Sequence, residues 1–290
     1  MSFYQIEQAE RDLFAVYQVL YANADIEMWY DWKARLEDTK FTDQCYWVVR
    51  DGVRIGGAII MNDTVIYPFL IAPFADRTIF WKTLFSCCKT IIHIRGVLSQ
   101  DVEILQSFAY RLDVTRQVMC CPTDPDIVAA LPEGYSLHVL DQSVDRTALA
   151  RAIREGYVGG TDYEIYGTPT EEEVKKDVER LLQIYAPNNL SLYLWNDQDQ
   201  RIAGLCIAGI SAAIPLRFAE IGEICVLPSY RNRRLGEYML NWIRAKAHPY
   251  APVVKLCVTV GNSAEGLYRK AGFIPGPRFA NMSRNNQMEI

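Results

Sequence analysis

Val226-Leu227-Pro228-Ser229-Tyr230-Arg231-Asn232-Arg233-Arg234-Leu235-Gly236-Glu237 is the stretch on which the fold turns. An apolar run, Ile224 to Leu227, stops at Pro228, a short turn carries three arginines, and Leu235-Gly236 opens an amphipathic helix. A strand that feeds a tight turn into a helix N-terminus makes an anion site, because unpaired backbone N–H groups and the positive end of the helix dipole converge there. Three guanidiniums beside such a site suit a ligand with several phosphates. An ordinary strand-to-helix connection with solvated arginines has the same composition, and this segment alone leaves both readings open.

A second segment, Val258 to Phe273, narrows the choice. A β-branched run ends in Gly261-Asn262, and a short helix follows that presents Leu267 and Tyr268. Gly272 stands where a helix C-terminus takes a left-handed residue, and Phe273 begins the next strand. Together the two segments resemble the GNAT superfamily of N-acetyltransferases. The first motif of that family, V-x-P-x-Y-R-G-x-G-[IL]-G, is met at Val226, Pro228, Tyr230, Arg231, Leu235 and Gly236. The second, N-x-x-A-x-x-L-Y-x-K-x-G-F, is met at Asn262, Leu267, Tyr268, Lys270, Gly272 and Phe273. The inner glycines of the first motif are Asn232 and Arg234 here, and Asn262 lies one residue nearer Tyr268 than the pattern has it.

The resemblance implies acetyl-CoA as cosubstrate and transfer of an acetyl group to a primary amine of a small molecule or peptide. It implies direct attack in a ternary complex, with no acyl-cysteine. Carried over by position, Arg231, Asn232, Arg233, Arg234, Leu235 and Gly236 would hold the pyrophosphate. Backbone groups at Cys225, Val226 and Leu227 would pair with the pantetheine, and Asn262 and Tyr268 would complete the cofactor site. Tyr268 matches the tyrosine that protonates the departing thiolate; a core tyrosine at helical spacing is the alternative. An alkylamine of pKa near ~10 needs a base at neutral pH. By offset Glu220 falls where family members keep a glutamate base, and Glu223 is the second candidate. Strand alternation places the two on opposite faces unless a bulge intervenes. Each could equally be an exposed strand-edge carboxylate. A non-catalytic acyl-CoA-binding or protein-interaction module on the same fold is the competing function.

The rest of the chain fits an α/β (α+β) reading with tandem GNAT-like domains, each a mixed, mostly antiparallel sheet flanked by helices. At 290 residues there is length for two ordinary domains. The expected division is 1–120, a breaker-rich linker at 121–134 (Cys121-Pro122-Thr123-Asp124-Pro125, then Leu131-Pro132-Glu133-Gly134), and 135–290. In the second half we expect strands over Tyr135–Leu140, Leu190–Trp195, Ile202–Ile210 and Val253–Val260. Helices are expected over Val144–Tyr157, from a capping box at Thr170-Glu171-Glu172-Glu173, and over Leu235–Ala247. The glycine- and tyrosine-rich stretch Gly156 to Gly167, with Asp162 and Glu164, reads as a substrate loop with an acidic, aromatic lining or as a solvated loop.

The first half repeats that order in worn form. Tyr46 to Gly57 is a hairpin, Phe69 to Pro73 a strand closing in proline, Ile79–Cys88 a helix, Thr90–Ile94 a strand and Val102–Leu112 a helix. Its turn, Phe74-Ala75-Asp76-Arg77, has no glycine and sets an acid where phosphates would lie, so cofactor binding is expected to be lost there. The counterparts of Tyr268 and of Gly272-Phe273 are expected at Ala109 and at Asp113-Val114.

Half the residues are hydrophobic and 22% charged, a globular composition. A net charge of −5 argues against non-specific nucleic-acid binding. No apolar run is long enough to cross a bilayer, and Met1-Ser2-Phe3-Tyr4-Gln5 has no signal-peptide pattern, so a cytoplasmic protein without membrane contact is expected. The eight cysteines lack C-x-x-C spacing and the three histidines are scattered. Buried reduced thiols are therefore expected, and no metal. The partner is an amine, and a homodimer is compatible with the pattern.

Overall fold

A computed structural model of the chain describes residues 3–21, 43–127, 130–141, 143–210 and 218–284. Two compact units emerge, residues 1–117 with 277–290, and residues 118–276. In the first unit β1 (Tyr4–Gln8) and α1 (Arg11–Tyr21) precede the hairpin β2 (Cys45–Arg50) and β3 (Val53–Met61). Then come β4 (Thr64–Leu70), α2 (Arg77–Cys87), β5 (His93–Leu98), α3 (Ser99–Ser107) and the start of β6 (Arg111–Pro122). The second unit runs from the end of β6 through β7 (Tyr135–Val139), α4 (Arg146–Tyr157), α5 (Thr161–Tyr166) and α6 (Glu171–Tyr185). It continues with β8 (Leu192–Asn196), β9 (Arg201–Gly209), β10 (Phe218–Val226), α7 (Leu235–Ala247), β11 (Val253–Thr259) and α8 (Ala264–Lys270). β12 (Ile274–Ser283) begins in the second unit and ends in the first.

The two units share one plan. In each, consecutive antiparallel strands lead to a parallel pair joined by a helix: β4 with β5 around α2, and β10 with β11 around α7. Each unit is thus a mixed, mostly antiparallel sheet with helices, as expected. β9 lies between β8 and β10 and is buried from Ile202 through Gly209. A strand covered on both faces reads as a continuous apolar run rather than an alternation. Cys225 meets Gly156 of α4, while Val226, its neighbour, meets Gly236 of α7. Successive strand residues face opposite ways, so α4 and α7 cover opposite faces. α4 and α6 contribute Leu149, Ile153, Val178 and Leu181 to the core, and α7 contributes Met239, Leu240 and Ile243. The capping box at Thr170 and Glu173 forms as expected.

Several expectations shift. The 1–120, 121–134 and 135–290 division differs from the contact units, because residues 277–283 of β12 pair with β5 (Phe279 with Leu98, Ser283 with His93). β6 continues to Pro122 into the expected linker, of which residues 128 and 129 lie outside the described residues. So do Met1-Ser2 of the expected signal-free terminus and residues 22–42 of the first half. α3 ends earlier than expected, because Ala109 turns left-handed (φ 65°) and Tyr110 N–H reaches back to the Leu105 carbonyl at 3.1 Å. The same closure in α8 runs from Phe273 N–H to Tyr268 at 2.9 Å, with Gly272 at φ 90°. The counterpart of Tyr268 is therefore buried Leu105, and that of Gly272-Phe273 is Ala109-Tyr110; the expected positions Ala109 and Asp113-Val114 are four residues late. All eight cysteines are free, but only Cys45, Cys121, Cys206 and Cys225 are buried; Cys88, Cys120 and Cys257 are half-buried and Cys87 is exposed. Among the described residues no helix is long and apolar enough to cross a membrane, and no group of three metal-ligating side chains gathers.

Candidate active site

The site is built where β10 and β11 part. They pair from Phe218 with Val253 to Ile221 with Leu256, and no further, although β10 runs on to Val226 and β11 to Thr259. The cause lies at Gly222, where β10 slips against β9: Ile221 faces Ala208, yet Glu223 already faces Ile207. Gly222 is needed there, since a Cβ would lie 2.9 Å from both Leu181 Cδ2 and the Tyr185 hydroxyl oxygen. The bulge leaves the edge of Glu223–Val226 unpaired towards β11, a slot in which an extended amide chain could add like a strand. It also turns Glu223 onto the face that Glu220 occupies, which simple alternation forbids.

At the end of the slot, Pro228–Tyr230 makes one 3-10 turn and α7 begins. Asn232 (φ 63°) and Arg234 (φ 62°) both adopt the left-handed conformation that glycine takes most cheaply. The loop therefore keeps a glycine-type path without glycines. Arg234 is the N-cap and makes no side-chain capping bond, so among the described residues no acceptor meets the N–H groups of Leu235, Gly236 and Glu237. Such a nest binds anions. Gly236 also packs closely, because a Cβ there would come within 2.8 Å of Leu267 Cδ2 and that side chain would have to shift.

The arginines divide by role. Arg231 donates to the Gly156 carbonyl at 2.7 Å and to the Val226 carbonyl at 3.3 Å. Arg233 donates to the Tyr135 hydroxyl at 3.0 Å and the Ser229 carbonyl at 3.1 Å, and lies over the Tyr230 ring. Tyr230 itself donates to Asp199 at 2.7 Å, pinning the turn to the β8–β9 hairpin. The exposed Arg234 guanidinium has no partner among the described residues.

The first unit closes the same two features. Asp76 caps α2 by accepting from Ile79 N–H at 2.9 Å, so its own carboxylate takes the anion's place. β4 and β5 also part, after Ile66 and Arg95. Gly96 (φ 71°) lies directly under the Tyr67 ring, which fills the opening.

On the α4/α6 face of β10 a cluster of acids and phenols gathers. Tyr157 donates its hydroxyl to Glu223 Oε1. Burial pushes Glu223 up to about 7, opposed by the Tyr157 hydrogen bond and aided by the charge of Asp162. Tyr268 is buried; desolvation first and the Glu223 charge second raise its phenol above the ordinary value, so it stays protonated at neutral pH. Glu220 is 2% exposed and accepts from Tyr185 at 3.1 Å. Burial raises Glu220 to about 7, with Lys255, its cross-strand neighbour, pulling it back. Cys225 is pushed well up by burial and the Glu223 charge, which suits packing rather than nucleophilic attack.

Within Gly156 to Gly167, Thr161–Tyr166 is helical where a loop was expected: Gly160 caps α5, and Gly159 (φ 67°) and Gly167 (φ 80°) serve the turns that bound it. Asp162 is committed rather than lining a cleft, accepting from Thr259 at 2.6 Å and from Asn262 at 3.1 Å. Asn262 in turn accepts from Ala264 N–H at 2.9 Å, so the residue that stands early in its motif locks α5 to the β11–α8 turn. Tyr185 and Asp199 were missed by sequence reasoning, since their partners lie 35 and 31 residues away and no local pattern marks them.

Residues 189–275 match the family model described as Acetyltransferase (GNAT) domain. A search of curated proteins returns no match. Among solved structures, the chain resembles a GCN5-related N-acetyltransferase from Sphaerobacter thermophilus. That pair shares 15% identity and a TM-score of 0.71 over 97% of this chain and 94% of the other. A tandem GNAT protein from the clavulanic acid biosynthesis pathway aligns at 14% identity and TM-score 0.56, over 97% of this chain and 98% of that one. An acetyltransferase from the GNAT family of Colwellia psychrerythraea aligns at 11% and 0.57, over 98% and 100%. At these identities the likeness is one of fold.

Proposed function

The chain is folded as a tandem GNAT protein whose acetyltransferase family match lies in the C-terminal unit, and from that premise we propose that this unit is an acetyl-CoA-dependent N-acetyltransferase acting on a primary amine. The observation that carries the reading is the slot between β10 and β11, with, at its end, a helix N-terminus that has no side-chain cap, and with a protonated phenol, Tyr268, within electrostatic reach of Glu223.

The residues fit the cosubstrate. The free N–H groups of Leu235 to Glu237, with Arg234, would hold the pyrophosphate, and the unpaired edge of Glu223–Val226 would hold the pantetheine amides. Arg231 and Arg233 shape the loop. Acetyl-CoA would supply an acetyl group activated as a thioester.

Glu223 serves as the base in this reading. It shares the cluster with Tyr268, while Glu220 is held under Tyr185 and Lys255 as a supporting carboxylate. Glu223 takes one proton from the ammonium, and the freed nitrogen attacks the carbonyl carbon as the C–S bond breaks. Tyr268 gives its proton to the departing sulfur and recovers one from the nitrogen, while Glu223 releases its proton to water. Because the Glu223 charge helps hold the Tyr268 proton, neutralising the base makes the acid a better donor at the moment it is needed.

The test is a thermal shift with acetyl-CoA followed by free-thiol release with amines. A ligand at a hundred times its Kd stabilises by ~2.7 kcal/mol. Absence of any shift at millimolar acetyl-CoA would sink the enzyme reading and leave a protein-interaction module.

A further inference from the structure

Among the buried polar side-chain atoms without a partner in the described residues, the Tyr163 hydroxyl is the one in this cluster. Its ring stacks on Tyr157 at 5.5 Å and 26°, against the residue that donates to the proposed base. Arg154 and Glu223 both lie within electrostatic reach of the phenol. A buried hydroxyl without a partner is costly unless a ligand supplies one. We propose that Tyr163 hydrogen-bonds the acceptor nitrogen, and that the acceptor is a primary monoamine carried on an apolar or aromatic body. The inference rests on the N-acetyltransferase reading above.

The acceptor's charge follows from the carboxylates, which are already engaged. Asp162 serves Thr259 and Asn262, Glu223 serves Tyr157, Glu155 pairs with Arg201, and Asp177 pairs with Arg180. Glu164 is the exposed acid of α5, out in solvent. Arg154, held by the Pro169 carbonyl at 2.9 Å, adds a cation close to Tyr163. A polycation would find few free acids and one like charge. The outer residues beside the stacked tyrosines are instead apolar: Val158, Ile165 and Tyr166 are 59%, 39% and 56% exposed. Side chains of that kind left in water favour an apolar ligand body.

The experiment uses the full chain, acetyl-CoA and free-thiol release with phenethylamine, hexylamine, spermidine and kanamycin. Phenethylamine or hexylamine should be turned over with a kcat/KM about tenfold or more above spermidine and kanamycin. Tyr163→Phe should raise the KM for the preferred amine about tenfold while kcat falls far less. The acetyl-CoA thermal shift should be unchanged, and the Tm without ligand should not drop. Preference for the polycations, an unchanged KM, or a lowered Tm that marks a structural hydrogen bond would each overturn the proposal. A normal acetyl-CoA shift with no turnover of either apolar amine would overturn it too and leave cofactor binding standing. Loss of the shift in the wild-type protein would instead remove the N-acetyltransferase reading itself.

Discussion

Tyr157 and Glu223, 66 residues apart, are joined by a hydrogen bond across the seam between α4 and β10. The bond exists because the Gly222 bulge swings Glu223 onto the helix face. Tyr157 donates to the ionised form and so keeps the proposed base from climbing further. Tyr157→Phe should therefore shift the acidic limb of the kcat/KM profile to higher pH. At pH 7 the loss should be about tenfold, and by pH 9 it should largely vanish. A uniform loss at every pH would show that Tyr157 acts on something other than the base.

Tyr268→Phe removes the proposed acid and leaves the ring in the core with Phe273. Turnover should fall by about a hundredfold or more, while acetyl-CoA still raises the Tm. Equal turnover would take Tyr268 out of the acid role.

Arg234 combines a left-handed backbone with a charge that has no partner among the described residues. Arg234→Gly should raise the stability of the unliganded protein by ~1 kcal/mol by relieving φ 62°. The same change should weaken acetyl-CoA binding several-fold, measured by calorimetry. If affinity holds while stability rises, the arginine is not a cofactor contact.

Glu220 gives a pH-dependent stability term. Its folded value, about 7, stands above the ordinary carboxylate value of 4.5, so the folded state binds more protons between those limits. Stability from this group is thus fully present below about pH 4.5 and declines as pH rises through about 7. The Tm of Glu220→Gln should fall less steeply than that of the wild type across this window. Parallel Tm curves would place the titration elsewhere.

Much of this was legible because it is local. Leu235–Ala247 was expected to the residue, since an amphipathic period and a clear start bound it. The Thr170 box announced α6 through two side chains three apart. What escaped depends on neighbours distant in the chain. The bulge at Gly222 answers to Leu181 and Tyr185 on α6, so strand alternation alone put Glu220 and Glu223 on opposite faces. The glycines of 156–167 read as loop, yet they bracket a helix that Asp162 ties to Thr259 and Asn262. Position by offset favoured Glu220 as base; its burial under Tyr185 was invisible without the fold.

The exchange of β12 bears on how the protein is made. The N-terminal unit includes Phe279, Ala280 and Met282, which pair with β5, and the last two join its hydrophobic core. During synthesis that unit stays short of one strand until Ser283 has been added, after residues 118–276 of the C-terminal unit have all been made. The N-terminal unit is thus the later of the two to be completed, and a chain cut at Gly276 would injure it first.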